Sequence, residues 1–317
     1  MPLHPDLAAF LELVEAGVSN GARRLHELPA AQARAEYDNS TLWLDSGGMA
    51  IARISPVAIP GREGHRIDAR LYTPAIPIHE ERLPALLYFH GGGYCVGGLD
   101  SHDSLCRALA AFTPCCVLSI AYRLAPEHKF PAAVHDACDA YQWLLSNGPA
   151  YGIDTGRIAV GGDSAGGTLA TGLTIAARDR QWPRPLLQVL LYPCTAAWQD
   201  TASHRRLAQG HLLEATTLQW MFDNYLRNDA DRADWRFAPL EANDLSNLPP
   251  AFIALAEYDP LVDEGTEYAD RLKEAGVAVD LQVYEGMTHD FARLGNIVNE
   301  AELVRRDIAR ALAEAFQ

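Results

Sequence analysis

The sequence predicts an α/β protein: a mostly parallel, eight-stranded sheet with helices on both faces and a helical cap. Three observations carry that expectation. Short apolar runs alternate with amphipathic helical patterns, as they do in a doubly wound sheet. The runs after residue 84 are apolar at nearly every position rather than at every second one, which marks strands buried on both faces. Between one such run, Arg157–Val160, and a helical pattern lies Gly162-Asp163-Ser164-Ala165-Gly166, a turn of small residues fitting G-x-S-x-G. In such a turn the glycines let strand and helix approach closely, and the serine stands at the sheet edge beside a helix N-terminus that favours negative charge.

The chain has 317 residues, 49% of them hydrophobic and 21% charged, enough to bury a large core around one main domain. A formal charge of -15 without clustered Lys or Arg argues against nucleic acid and anionic membranes as partners. Met1-Pro2-Leu3-His4-Pro5-Asp6 lacks a basic start and an apolar core, and no apolar run reaches membrane-span length, so a cytoplasmic protein is expected. The six cysteines (Cys95, Cys106, Cys115, Cys116, Cys138, Cys194) have no C-x-x-C or secretory spacing and are expected to be reduced and buried.

In chain order, 6–16 carries the first helical pattern, with Leu7, Phe10, Leu11 and Val14 on one stripe. A more polar stretch follows, through Arg23-Arg24 and 30–36. With no strand before it, 1–45 must lay its stripe on something built later, as a lid element. The period then changes to two: 51–59 and 66–72, joined through Gly61-Arg62-Glu63-Gly64, predict an antiparallel pair. After a proline-rich link, 73–84, six apolar runs follow at 84–89, 115–122, 157–160, 186–192, 251–256 and 279–284. Helical patterns lie at 130–146, 167–178, 262–275 and 299–316. The interval from 193 to 250 is too long for an ordinary crossover and holds an amphipathic pattern at 212–226. The expected organisation is N-terminal cap helices at 1–45, a cap insertion at 196–230, and a catalytic body at 46–195 and 231–317; a decorated crossover is the plain alternative for the insertion.

A nucleophilic serine needs a base to take its proton, and the base needs an acid to fix its tautomer. Where the serine turn is of this kind the chain order is serine, acid, histidine. His289 is the sole histidine beyond residue 211 and lies on the loop after the last predicted strand, where ligands gather in such sheets. For the acid, Glu257, Asp259, Asp263 and Glu264 crowd one loop. Asp259 follows its strand at once and is held by Pro260, whereas Asp263 is placed to cap the next helix. Asp290 is set aside because consecutive side chains rarely meet in the required geometry. His90-Gly91-Gly92-Gly93-Tyr94 follows the 84–89 strand and exposes backbone N–H groups; with no lysine and no G-K-[ST] it is not a phosphate cradle. Gly92, Gly93 and the N–H of Ala165 are the expected oxyanion donors. His90 is read as ordering its loop, Arg123 and Glu127 as a charged pair tying loop to sheet, and His135-Asp136 with Cys138 as structural rather than a metal site. Tyr94, Leu213, Trp220 and Met221 are candidate pocket lining.

Four motifs, His90-Gly91-Gly92-Gly93-Tyr94, Ala121–Pro131, Gly162–Gly167 and Asp259–Gly265 followed by His289, resemble those of the hormonesensitive-lipase-like (bacterial family IV) carboxylesterases of the α/β-hydrolase fold, over about 84–292. The resemblance implies Ser164 as nucleophile, Asp259 as acid, His289 as base, and the same three oxyanion donors. It also implies a helical cap, a small-molecule ester substrate with a short-to-medium acyl chain, no metal or organic cofactor, and often a homodimer. A lipase or amidase on the same triad, or a ligand-binding homologue without catalysis, remain the alternatives. Asp290 departs from the family's usual glycine after the histidine, a change that bears on the histidine's environment or the substrate entrance.

Overall fold

The computed structural model describes residues 2–45, 47–74 and 82–317. Most of the proline-rich link expected at 73–84 therefore lies outside the described residues. The elements run α1 (Pro5–Ser19), α2 (Ala30–Leu44), β1 (Arg53–Pro60), β2 (Arg66–Thr73), β3 (Leu83–Phe89), α3 (Asp103–Phe112), β4 (Cys116–Ala121), α4 (Ala132–Asn147), β5 (Ile153–Asp163) and α5 (Ala165–Asp179). They continue through β6 (Gln188–Leu191), α6 (Ala202–Arg206), α7 (Ala215–Tyr225), β7 (Ala251–Tyr258), α8 (Val262–Glu274), β8 (Val279–Thr288) and α9 (Glu300–Ala315).

The eight strands form one sheet in the order β1-β2-β4-β3-β5-β6-β7-β8. β2 is antiparallel to both β1 and β4, and every later pairing is parallel. Apolar runs become buried strands here because alternate residues pack into two cores. Leu87, Phe89, Val160, Ile253 and Leu255 face one core with α4, α5 and α8, and Leu86, Tyr88, Ala159, Phe252 and Ala254 face the other with α3 and α9. The chain progresses outward to β4 on one side of β3 and to β5 on the other. The crevice at the carboxyl ends of β3 and β5 is therefore a topological switch point, the place where an open sheet of this kind takes its ligand.

Several boundaries differ from the sequence reading, each for a local reason. β5 runs from Ile153, which pairs with Leu83, instead of starting at 157, and Gly161, Gly162 and Asp163 stay in it, because β3 pairs with the strand up to Gly162 and β6 up to Asp163. β6 stops at Leu191, since Tyr192 turns away at φ 35. α3 was not expected as a helix, yet Leu105, Cys106 and Leu109 on it are fully buried. The stretch after 30 forms the full helix α2, despite its weak amphipathic pattern.

The N-terminal segment is anchored by polar contacts as much as by apolar ones. Leu7 of α1 is fully buried, and Pro5 opens that helix where a missing N–H costs nothing. His4 N–H donates to the Gly286 carbonyl at 3.0 Å. From α2, Arg34 donates to the carbonyls of Cys95 and Ala125 and pairs with Glu127, while Asp45 just beyond the helix accepts from Arg305 at 2.5 Å. Arg123 and Glu127 are thus not partners of each other. Arg123 pairs with Glu63 and with buried Asp136, which also meets His65 at 2.9 Å.

A Cβ placed on Gly166 would collide with the Phe89 carbonyl oxygen, whereas one on Gly172, further along α5, would meet only the Arg236 carbonyl at 3.8 Å. Gly166→Ala should therefore lose on the order of 3 kcal/mol of stability and Gly172→Ala should gain about 0.5–1 kcal/mol, as read by chemical denaturation.

Candidate active site

Ser164 sits between β5 and α5 with φ 53 and ψ -122, a conformation open to an L-residue only at a cost of roughly 1–3 kcal/mol. Its N–H donates to the Leu191 carbonyl at 2.8 Å and its carbonyl accepts from Thr168 at 3.2 Å. The absent side chains of Gly162 and Gly166 let the first turn of α5 press against the end of β3. The strained turn is held from both neighbouring strands, with the hydroxyl raised toward the crevice.

Asp259 leaves the end of β7 and His289 the end of β8; His289 reaches Ser164, and Asp259 reaches His289. Nδ1 of His289 lies 2.6 Å from Asp259 Oδ2, and Nε2 lies 3.0 Å from Ser164 Oγ. The second oxygen of Asp259 accepts the Leu261 N–H at 2.9 Å, so the carboxylate is oriented by its own turn. That carboxylate fixes the proton on Nδ1 and leaves Nε2 facing the hydroxyl. Burial opposes charge on His289, but Asp259, through its charge and hydrogen bond, and then Asp290 and Asp163 outweigh it and raise the imidazole pKa. Asp263 faces elsewhere, accepting the N–H of Ser203 at 2.7 Å. Asp290 has φ 69, and its carboxylate meets Arg293 at 2.9 Å.

The glycine loop turns back over Ser164 with φ 107 at Gly92 and 58 at Gly93, values that favour glycine. Among the described residues, no group accepts a hydrogen bond from the N–H of Gly92, Gly93 or Ala165. Beneath the loop, buried Asp163 takes the Tyr88 hydroxyl at 2.6 Å, the Gly91 N–H at 3.1 Å and His102 Nε2 at 3.1 Å. Burial works against its ionisation, yet His102, Arg293 and Tyr88 hold the carboxyl well below the usual carboxylate range. His90 stacks on Tyr122 with ring centres 4.2 Å apart and touches the Gly91 carbonyl at 2.7 Å; burial, with the nearby charge of His102, pushes its pKa down to about 3. A neutral, stacked imidazole orders the loop and takes no part near Ser164.

A cavity of ≈ 160 Å³ contains Ser164, His289, Gly92 and Gly93 in its wall. Of the four lining candidates it brings in Leu213 and Met221. Tyr94 instead lies in the core, stacked on Tyr225 at 3.8 Å, and Trp220, on α7, is half-buried against the core. The sequence reading missed Leu25, Tyr37 and Leu44 from the N-terminal segment, and Cys194 and Arg293 from the body, whereas Asp290, which it tied to the histidine's environment or the substrate entrance, does line the cavity. Arg293 follows His289 closely enough for proximity to have marked it. Tyr37 lay in a stretch with no readable face.

Fold and site together define a class, and comparison with known proteins agrees. Residues 86–293 match the family described as alpha/beta hydrolase fold. The chain belongs to this family, in its hormone-sensitive-lipase-like branch, and it is a carboxylic ester hydrolase. It is 47% identical to an ethyl acetate hydrolase of Pseudomonas putida over 306 residues, 95% of this chain and 96% of that one. It is 40% identical to the carboxylesterase NlhH of Mycobacterium tuberculosis over 74% of each chain. Among solved structures it resembles the hyperthermophilic esterase of the archaeon Pyrobaculum calidifontis, at 39% identity and a TM-score of 0.92 over 99% of each chain. No helix among the described residues is long and apolar enough to cross a membrane.

Because the charge of Asp290 helps to raise the His289 pKa, Asp290→Asn should lower it. Imidazole titration by NMR checks this; an unmoved or raised value would contradict the electrostatic assignment.

Proposed function

We propose that this chain hydrolyses short-to-medium acyl esters in two steps through an acyl-enzyme on Ser164. The observation that carries the reading is the line from Asp259 through His289 to Ser164, joined at 2.6 and 3.0 Å in the wall of a small cavity. Ser164 Oγ attacks the ester carbonyl as Nε2 of His289 takes its proton, and Asp259 stabilises the imidazolium. The developing oxyanion is met by the N–H groups of Gly92, Gly93 and Ala165, and the loss of one such donor costs about 3–4 kcal/mol of barrier. The tetrahedral centre collapses, and the alcohol departs with the proton from His289. Water then attacks the acyl-enzyme with the same base and the same donors, releasing the acid and restoring Ser164.

The size and lining of the cavity support short substrates. Leucines and Met221 wall a volume of ≈ 160 Å³, which has little room for a long acyl chain. A cap made of 1–45 and 196–230 over a body of 46–195 and 231–317 is part of this proposal, supported by Leu25, Tyr37, Leu213 and Met221, which come to the wall from the two cap segments. Six free, buried thiols are consistent with a reducing compartment such as the cytoplasm. A homodimer belongs to the same reading; the edge strand β8 leaves Val283 exposed, and sizing in solution tests it.

Ser164→Ala should abolish p-nitrophenyl butyrate hydrolysis without unfolding the chain, and Asp259→Asn should lower kcat by orders of magnitude while Asp263→Asn has a small effect. Retained turnover in the first, or the reverse order in the second, would reassign the roles. Over a series of p-nitrophenyl esters, kcat/KM should peak at short-to-medium acyl length; a maximum at long chains would contradict the covered cavity.

A further inference from the structure

Among the described residues that line the cavity, outside the Ser164–His289 pair, the glycine-loop amides and Cys194, one side chain carries an oxygen without a partner. The polar side chains around it are committed. Ser40 donates to the Tyr37 carbonyl at 2.8 Å, and Thr217 meets His26 Nδ1 at 3.0 Å. Arg293 spends all of its N–H groups: Nε on the Ser101 carbonyl, one terminal nitrogen on Tyr37 and Asp290, the other on Thr41 and the same carbonyl. Asp290 differs. Its Oδ2 accepts from Arg293 at 2.9 Å and faces the Tyr37 hydroxyl at 3.5 Å, while Oδ1 has no hydrogen-bond partner among the described residues. The side chain retains 21% exposure, and it lines the cavity that holds Ser164 and His289. Arg293 and Tyr37 hold the other oxygen, Oδ2, and so orient the carboxylate.

The position of Asp290 states which part of a substrate it meets. Nε2 of His289 must pass its proton to the leaving oxygen, so the alcohol portion of an ester lies on the histidine's side of the cavity, where the next residue contributes its carboxylate. An alkyl alcohol closing over Oδ1 strips water from a charged acceptor and gives nothing back, whereas a hydroxyl two bonds further along the alcohol restores the lost hydrogen bond.

Resting on the ester-hydrolysis reading above, we propose that Asp290 is a specificity-determining residue that accepts a hydrogen bond from a hydroxyl on the alcohol portion of the substrate, so that the site prefers short-acyl esters of diols and polyols to matched alkyl esters. The rest of the wall agrees, since Leu212, Leu213, Leu218 and Met221 offer nothing to a donor but suit an apolar acyl chain. A carboxylate at the same place on the alcohol would meet like charge and be rejected.

The test compares 2-hydroxyethyl butyrate with propyl butyrate, in which a methyl replaces the hydroxyl. The ratio of their kcat/KM values is measured for the unaltered chain and for Asp290→Asn and Asp290→Gly, two residues that tolerate the left-handed backbone. Taking the change in ratio between proteins removes the intrinsic reactivity difference between the esters. The ratio should fall roughly tenfold or more in the glycine variant, and by a smaller factor in the asparagine variant, which keeps a neutral acceptor. A ratio within twofold of the unaltered value in both variants would overturn the proposal. Propyl butyrate turnover that Ser164→Ala abolishes keeps the two readings apart: with it present and the ratio unmoved, the role of Asp290 alone falls. With no such turnover, the esterase reading falls and the proposal with it.

Discussion

The close approach of the first turn of α5 to the end of β3 is the constraint on which the rest depends. It needs glycine at 162 and 166, because a Cβ at either position would run into the Phe89 carbonyl oxygen. Once that approach is made, the serine turn and the glycine loop become neighbours in a fixed relation, since one leaves β5 and the other leaves β3, and the two strands are paired through Phe89 and Gly162. The strain at Ser164 is then over-determined by backbone hydrogen bonds from Leu191 on one side and Thr168 on the other. A more relaxed turn would let the hydroxyl move away from His289 by more than a hydrogen bond can tolerate.

Polar groups finish what this packing begins. Asp163, the residue before the serine, accepts the Gly91 N–H and so ties the start of the glycine loop to the serine turn itself. Although Asp163 is fully buried, its charge is sustained by His102, Tyr88 and the nearby Arg293. A buried ion pair of this kind adds little net stability, but loss of one partner leaves a charge stranded, at a cost of about 3–5 kcal/mol. The arrangement is better understood as a device for position: it aims amides that have no partner of their own.

Much of this was legible in the sequence because the relevant signals are local. Two-sided burial makes apolar runs and one-sided burial makes alternation, so six strands were found by the first signal and two by the second; the small-residue turn and the triple glycine announce backbone geometry directly; and the single late histidine left little choice of a partner for Ser164. What was not legible depends on distant partners. α2 has almost no apolar face, because Arg34, Tyr37 and Thr41 dock through hydrogen bonds to loops that only the folded chain brings near. Tyr94 carried an aromatic side chain beside the glycines and so resembled lining, but its positive φ turns the ring into the core against Tyr225. On α7 the periodic pattern gave the helix and not its rotation, and one step around it separates Met221 in the wall from Trp220 outside.

The same contrast explains why the wall of the cavity is divided. Residues delivered by α7 and the segment before it are apolar except for Thr217, whose hydroxyl is taken up by His26, as expected of a helix that docks by its greasy stripe. The N-terminal segment, which docks through Arg293 as well as through Arg34 and Asp45, brings the Tyr37 hydroxyl against Asp290. Arg293 is buried, and burial alone would disfavour its charge, but Tyr37, Asp290 and Asp163 more than compensate. Its position three residues after Asp290, on the turn that follows His289, means that the contact fastening α2 to the body also sets the electrostatics beside the histidine. One attachment of the N-terminal segment and the polarity of the cavity wall beside His289 therefore share the side chain of Arg293.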